Sequence, residues 1–195
     1  LAAVRHEIRT DSMGAGETRG GPGVVWHVRP QGTGQVDNYA YGDGMRNPPF
    51  GVFGGKAADG GALYRLNTDG TRTFFSMIGY FRVREGEAWI SLSTGGGGYG
   101  NPLRRAPEKV RDDVRDGFVS LTAARTEYGV VLDAETLTID DAATAALRRS
   151  RLVAEAPAII VPDRADAGDF YRRLMQPGDR FELDPRPAVE AAWTL

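Results

Sequence analysis

The chain has 195 residues, 41% hydrophobic and 26% charged, which is enough apolar material for one buried core and the balance of a soluble globular protein. A formal net charge of −2 sets up no field that would recruit nucleic acid or an anionic membrane, and a cysteine count of 0 excludes disulfides, thiolate chemistry and cysteine-based metal sites. No apolar run reaches the ~18 residues that span a bilayer and the N-terminus lacks a basic-then-apolar signal pattern, so a cytoplasmic location is expected.

Glycine occurs 26 times, roughly twice its usual share, which points to turns and short strands rather than long helices. Alternation predicts strands over Val4–Arg9 and Val24–Val28, joined by TDSMGAGETRGGPG. Its glycines are spaced too irregularly for a phosphate motif and it has no lysine, so it reads as a wide turn. A strand over Gln35–Tyr41 leads into GDGMRNPPFGVFGGKAADGG, where Asp43, Arg46 and Lys56 stand among glycines and prolines that fit neither helix nor mid-sheet. Phe50 and Phe53 are expected to plug into a core. A fixed irregular loop with a few charges is where binding groups sit, although isolated charges on a loop are more often simply solvated.

Strands are next predicted over Ala62–Asn67, Thr71–Met77 and Phe81–Leu92. The first two are joined by the hairpin signal NTDG, and the third turns at Glu85–Glu87 before running into Gly95–Gly98. Four consecutive glycines cost chain entropy unless something approaches closely, so a neighbour is expected against that loop. A helix opens at Pro107 with Val110, Val114 and Phe118 inward and Arg111, Asp112, Asp113 and Arg115 outward, stopping at Gly117. A second is capped by Ser120, shares Leu121, Ala124 and Tyr128 on one face, and ends at Gly129. Both are too short to stand alone, so their apolar stripes must dock on something larger. Beyond lie a short strand at Leu137–Ile139 and a helix from Asp140 or Asp141 to about Val153, whose terminal Arg148, Arg149 and Arg151 suit the helix dipole. The tail predicts a strand at Ala158–Val161, a helix at Asp166–Met175 and a strand at Arg180–Leu183. Phe170, Tyr171, Leu174 and Trp193 are its anchors on a neighbouring surface.

Literally, Gly95 to Gly100 satisfies G-x-G-x-x-G after a strand. A dinucleotide site needs a helix to open at once, whereas Asn101-Pro102 intervenes and the helix waits for Pro107. Gly54-Gly55-Lys56 is followed by Ala57 where a phosphate loop needs a hydroxyl. His6 and His27 have no second ligand at metal spacing, and no nucleophile-base-acid set or carboxylate pair is framed. The helix pair following the glycines offers only Arg125 to a DNA base in a balanced charge field. Read from its residues, the chain carries no catalytic apparatus of its own.

The stretch TGGGGYGNPLRRAPEKVRDDVRDGFVSLTAARTEYGVVL nevertheless resembles the C-terminal signature of the hydantoinase B family. This is the B component shared by ATP-dependent N-methylhydantoinases, 5-oxoprolinases and acetone or acetophenone carboxylases. EIRTDSMGAGETRGGPG, NPPFGVFGGK and LDAETLTIDDAATAAL are similar to further family segments in the same order, from about Glu7 to Arg151. The family's metal-binding His/Asp cluster belongs to a region upstream that this sequence does not contain, so no metal ligand or catalytic residue carries over. The resemblance implies a small subunit or C-terminal module of a heteromeric ATP-dependent cyclic-amide hydrolase or ketone carboxylase, inactive alone. Its partners would be a larger N-terminal hydantoinase B-type chain and an A-type ATP-binding subunit. ATP, magnesium and a divalent transition metal are implied for the whole complex and none for this chain. The rival reading is a free-standing β-rich binding or scaffold protein.

The fold expected is α+β, a mainly antiparallel, sandwich-like sheet followed by short helices and a C-terminal extension. The divisions expected are a strand-rich glycine-loop domain over 1–105, a helical segment over 106–155 and a partner-contacting extension over 156–195. Asp43, Arg46, Lys56, Gly95, Gly96, Gly97, Gly98 and Tyr99 are the residues expected at the substrate cleft or interface.

Overall fold

The computed structural model describes residues 1–76, 78–152 and 174–182. Among these residues the strands β1 (Ala2–Ile8), β2 (Val24–Arg29), β3 (Gln35–Tyr41), β4 (Ala62–Leu66), β5 (Arg72–Phe75), β6 (Ile78–Arg84) and β7 (Ala88–Leu92) come first. The helices α1 (Pro107–Arg115), α2 (Leu121–Thr126) and α3 (Asp141–Leu152) follow, and β8 (Arg180–Glu182) closes the order. One sheet runs β1-β2-β7-β4-β5 antiparallel, with β8 added parallel to β5. β3 and β6 form a separate antiparallel ribbon.

Alternation along each strand sends side chains to two faces, and both faces of the sheet's centre are covered. On one, Leu63, Phe75 and Trp89 meet Phe81, Val83 and Ala40 of the ribbon, with the Phe75 and Phe81 rings stacked at 5.0 Å. On the other, Ala62, Phe74, Ala88, Ile90 and Leu92 pack with Leu174 and Met175. This is the sandwich-like α+β arrangement expected from the sequence.

The helices have their own core. Val110, Val119, Ala124, Tyr128 and Val130 close around Ala15 of the first glycine turn, which is the larger surface their stripes required. Ser120 caps α2 by accepting from the Ala123 N–H at 3.0 Å, and Gly117 and Gly129 end their turns at φ 78 and 62, as expected. Leu121 is exposed rather than inward. The NTDG hairpin forms, with Gly70 at φ 82.

Three differences have local causes. The turn expected at Glu85–Glu87 forms, but the strands on its two sides belong to different sheets, Ile78–Arg84 to the ribbon and Ala88–Leu92 to the middle of the main sheet. Gly86, at φ 89, turns the chain between them. Leu137–Ile139 is a single bridge, Leu132 to Ile139, because Asp133 caps the preceding turn through the N–H groups of Glu135 and Thr136 and Leu137 is left at φ 56. The arginines of α3 serve a different helix end. Arg151 donates to the Thr126 carbonyl at 2.6 Å and Arg148 to that of Tyr128 at 3.0 Å, filling acceptors at and just past the end of α2, while Arg148 also donates to the Arg105 carbonyl ahead of α1 at 2.7 Å.

The strand at Ala158–Val161, nearly all of the helix at Asp166–Met175 and the anchors Phe170, Tyr171 and Trp193 lie outside the described residues. Residues 174–182 dock on the chain's own sheet. Asp179 accepts from the Arg72 side chain, from the Arg72 N–H at 3.3 Å and from the Gln176 N–H at 2.7 Å. Arg72 in turn lies over the Tyr64 and Phe74 rings and donates to the Leu174 carbonyl at 2.7 Å.

Candidate functional site

Three glycine-rich segments, 12–21, 52–56 and 95–100, lie side by side, each bonded to the other two through backbone alone. Gly14 donates to Gly96 at 2.8 Å, Lys56 to Ala15 at 2.7 Å and Gly98 to Lys56 at 2.9 Å. Strands approach this closely only where side chains are missing. A Cβ on Gly97 would fall inside the Phe50 carbonyl oxygen and one on Gly98 inside that of Ala15. What sits against the four-glycine run is the chain itself.

Arg9 ties one end of this bundle together, a role its sequence position does not advertise. Its largely buried guanidinium donates to the Gly60 carbonyl at 2.9 Å, to the Ser93 carbonyl and to Asp59 at 3.0 Å. Burial pushes its pKa down, and Asp59 offsets part of that. Ser12, fully buried, donates to the Arg9 carbonyl at 2.6 Å and accepts from the Gly23 N–H at 2.8 Å.

The structure brings Lys56 and Gly95–Tyr99 into one bundle. Gly95 rests on the Ser12 and Met13 backbone, and the N–H groups of Gly96, Gly98, Tyr99 and Gly100 are donated to Gly21, Lys56, Thr18 and Val52. Those are donors a phosphate cradle would need, so the literal G-x-G-x-x-G is spent on the fold. Lys56 bridges to Glu127, the C-cap residue of α2, at 2.7 Å, both partly exposed, which makes the pair a weak clasp. Asp43 and Arg46 stand exposed on the run leading to the bundle. Asp43 accepts from the Gly44 N–H at 2.6 Å, and Gly44 abuts Thr94.

Phe50 and Phe53 do not enter a core. With Val52 and Tyr99 they form an exposed apolar rim on the bundle, Phe53 being 74% and Tyr99 56% accessible, their rings edge-to-face at 5.3 Å. Phe53 holds φ 53, a left-handed conformation that costs an aromatic residue about 1–3 kcal/mol. With the backbone of this segment packed against the other glycine segments, its few side chains have only one direction to go.

Asp113, expected outward, is 5% accessible. It lies between Arg19 of the first glycine turn, at 2.8 Å, and Arg105, at 2.8 Å, and Arg19 also covers the Phe118 ring. Position 113 is one helical step from Val110, so its place on the inward face was legible once a buried partner was allowed. The hydroxyl of Tyr128 is pushed up to about 12, chiefly by burial. Arg19, Asp113 and Arg105 join bundle to helices.

Among the described residues no three His, Asp or Glu side chains converge as a metal site. The His6 and Trp26 rings lie tilted to each other at 5.5 Å, whereas His27 projects from the opposite face of the same strand pair, where burial and then Arg5 and Arg29 lower its pKa. The described residues do not fit the divalent metal that the resemblance implies for the complex. No helix among them is long and apolar enough to cross a membrane.

Comparison with known proteins places this geometry. The sequence profile described as Hydantoinase B/oxoprolinase matches residues 1–102. The caprolactamase subunit beta of Pseudomonas jessenii is 38% identical over 148 residues, 74% of this chain and 25% of that one. The acetone carboxylase alpha subunit of Xanthobacter autotrophicus is 26% identical, aligned with 100% of this chain and 32% of its own length. The crystal structure of ATP-dependent caprolactamase from Pseudomonas jessenii superposes with a TM-score of 0.64 at 35% identity, over 75% of this chain and 26% of that one. The chain therefore spans about a quarter to a third of the length of these curated relatives. On the glycine segments, the fold and the match over more than half its length, the chain belongs to the hydantoinase B/oxoprolinase family.

Proposed function

We propose that this chain is a module of the B-type component of a heteromeric ATP-dependent enzyme, acting on a cyclic amide. It completes the active-site cleft and a subunit interface while the reacting groups come from its companions. The partners proposed are a larger hydantoinase B-type chain and an A-type ATP-binding subunit. The supporting observation is the glycine bundle: a backbone-packed wall, rigid by construction, that presents Phe50, Phe53, Tyr99 and Lys56 at its rim. Such a wall orders its surface before a partner arrives, so little entropy is lost on binding. On this reading Gly95–Gly98 and the run carrying Asp43 and Arg46 shape the approach to the cleft. The cyclic-amide assignment leans on the caprolactamase relative. The alignment to the acetone carboxylase subunit, which takes in the whole of this chain and 32% of that subunit, favours a second reading, ketone carboxylation, in the same role.

The test is to purify the tagged chain with its companions and assay ATP-dependent opening of a lactam and a hydantoin, with acetone plus bicarbonate in parallel. Ring opening by the complex and not by the isolated chain is expected. Acetone-driven ATP consumption would select the second reading. A monomer that retains no partner would instead select a free-standing scaffold.

A further inference from the structure

Between the first glycine turn and α2 lies a cleft of about 500 Å3, inside the range of roughly 300–1,000 Å3 that small molecules occupy. Its floor is apolar, made by Met13, Ala15, Val119, Ala123 and Tyr128. Tyr128 brings a polar atom into that floor. The residue is 2% accessible, and its hydroxyl forms no hydrogen bond among the described residues. No side-chain oxygen among them is both sealed from solvent and without a partner, so the hydroxyl keeps an opening, and the cleft that Tyr128 lines is where it opens. With its pKa pushed up to about 12, it stays a protonated donor at neutral pH. A buried donor left without an acceptor costs free energy, which a ligand carbonyl would relieve.

The charges at the lip are already matched. Lys56 pairs with Glu127 at 2.7 Å, Asp59 with Arg9 at 3.0 Å, and Asp11 accepts from the Ser120 N–H at 2.8 Å. A ligand entering as an ion would have to break one of these contacts or carry its charge uncompensated onto the apolar floor. A neutral ligand does neither. The carboxylates keep lone pairs beyond these contacts, so an N–H on the ligand finds acceptors at the lip while its carbonyl meets the Tyr128 hydroxyl.

We propose that this cleft binds a small cyclic amide, its carbonyl on the Tyr128 hydroxyl, its N–H toward the lip carboxylates and its methylenes on the floor. Such a ring joins an acceptor, a donor and an apolar surface in one neutral body, which is the combination the cleft presents. The inference rests on the cyclic-amide reading above and gives this chain its own hold on that substrate class, apart from the groups that react with it.

The experiment titrates the full 195-residue chain, isotope-labelled, with δ-valerolactam and separately with its ring-opened amino acid, following backbone amide shifts by NMR. Saturable shifts with the lactam, centred on residues 11–15, 56–59 and 119–128, are expected. Tyr128→Phe, which removes only the hydroxyl, should keep the thermal midpoint and bind the lactam about fivefold more weakly. Ala123→Leu, which keeps the hydroxyl and fills the floor, should abolish the shifts. The inference is overturned by shifts that do not saturate or do not occur, by shifts centred elsewhere, by wild-type affinity in Tyr128→Phe, by shifts that persist in Ala123→Leu, or by the amino acid binding as tightly as the lactam. Because the titration needs no companion chain, these outcomes leave the broader reading standing. That reading fails separately, in an assembled complex that opens no lactam.

Discussion

Phe53 separates stability from function at a single residue. Its left-handed backbone holds a ring out into solvent, and Gly54, at φ 89, continues the turn. Phe53→Gly removes the strain and the edge-to-face contact with Tyr99, two effects of opposite sign and similar size. The thermal midpoint should therefore move by no more than about 3 °C, while turnover by the assembled enzyme falls; full turnover would mean that the rim has no role. Asp113 is the reverse case. Asp113→Ala leaves Arg19 and Arg105 facing each other without their anion, which should cost about 3 kcal/mol or more. Asp112→Ala, one residue away and exposed to 40%, should stay within about 0.5 kcal/mol, and denaturant unfolding of the two variants compares them directly. The sequence pattern shows both acids as members of one charged run, because side-chain type cannot disclose a partner 94 residues away.

Among elements, the helices and hairpins were the most legible parts, since their caps and turns are local chemistry at Ser120, Gly117, Gly129 and Asn67–Gly70. Sheet membership was not legible. Ile78–Arg84 and Ala88–Leu92 alternate alike, and only their hydrogen-bonded partners, β3 for the first and β2 and β4 for the second, assign them to different sheets. The four-glycine run announced a close approach but not that its own chain makes it. Gly98→Ala should destabilise by more than about 3 kcal/mol, because the added carbon meets the Ala15 backbone. Amide exchange should then rise together across 14–21, 52–56 and 96–100. Gly21→Ala, with open space around it, should be silent. A second element-scale outcome concerns β8. Burial works to raise the Asp179 carboxyl, but the Arg72 and Gln176 hydrogen bonds outweigh it and hold it below the usual carboxylate range. A depressed folded pKa contributes stability that is present above the unfolded value and lost as the proton goes on. Acidification below about pH 4 should therefore release residues 174–182 from β5, seen as increased amide exchange at the β5 edge. Asp179→Asn should remove that pH dependence.

For the whole molecule, resemblance and geometry gave different parts of the account. The family was legible from sequence because glycine segments are constrained residue by residue. The exposed aromatic surfaces were not, since Phe50 and Phe53 have the composition of core residues and only their position on a side-chain-free bundle turns them outward. The central claim is that this chain supplies rigid shape and contact surface to a larger enzyme. Native mass spectrometry of the tagged chain from its own cells, with each species assayed for ATP-dependent ring opening, tests it most directly. The account predicts activity in a species that also contains a hydantoinase B-type chain and an ATP-binding subunit, and none in the free 195-residue chain. Ring opening by the free chain would contradict it.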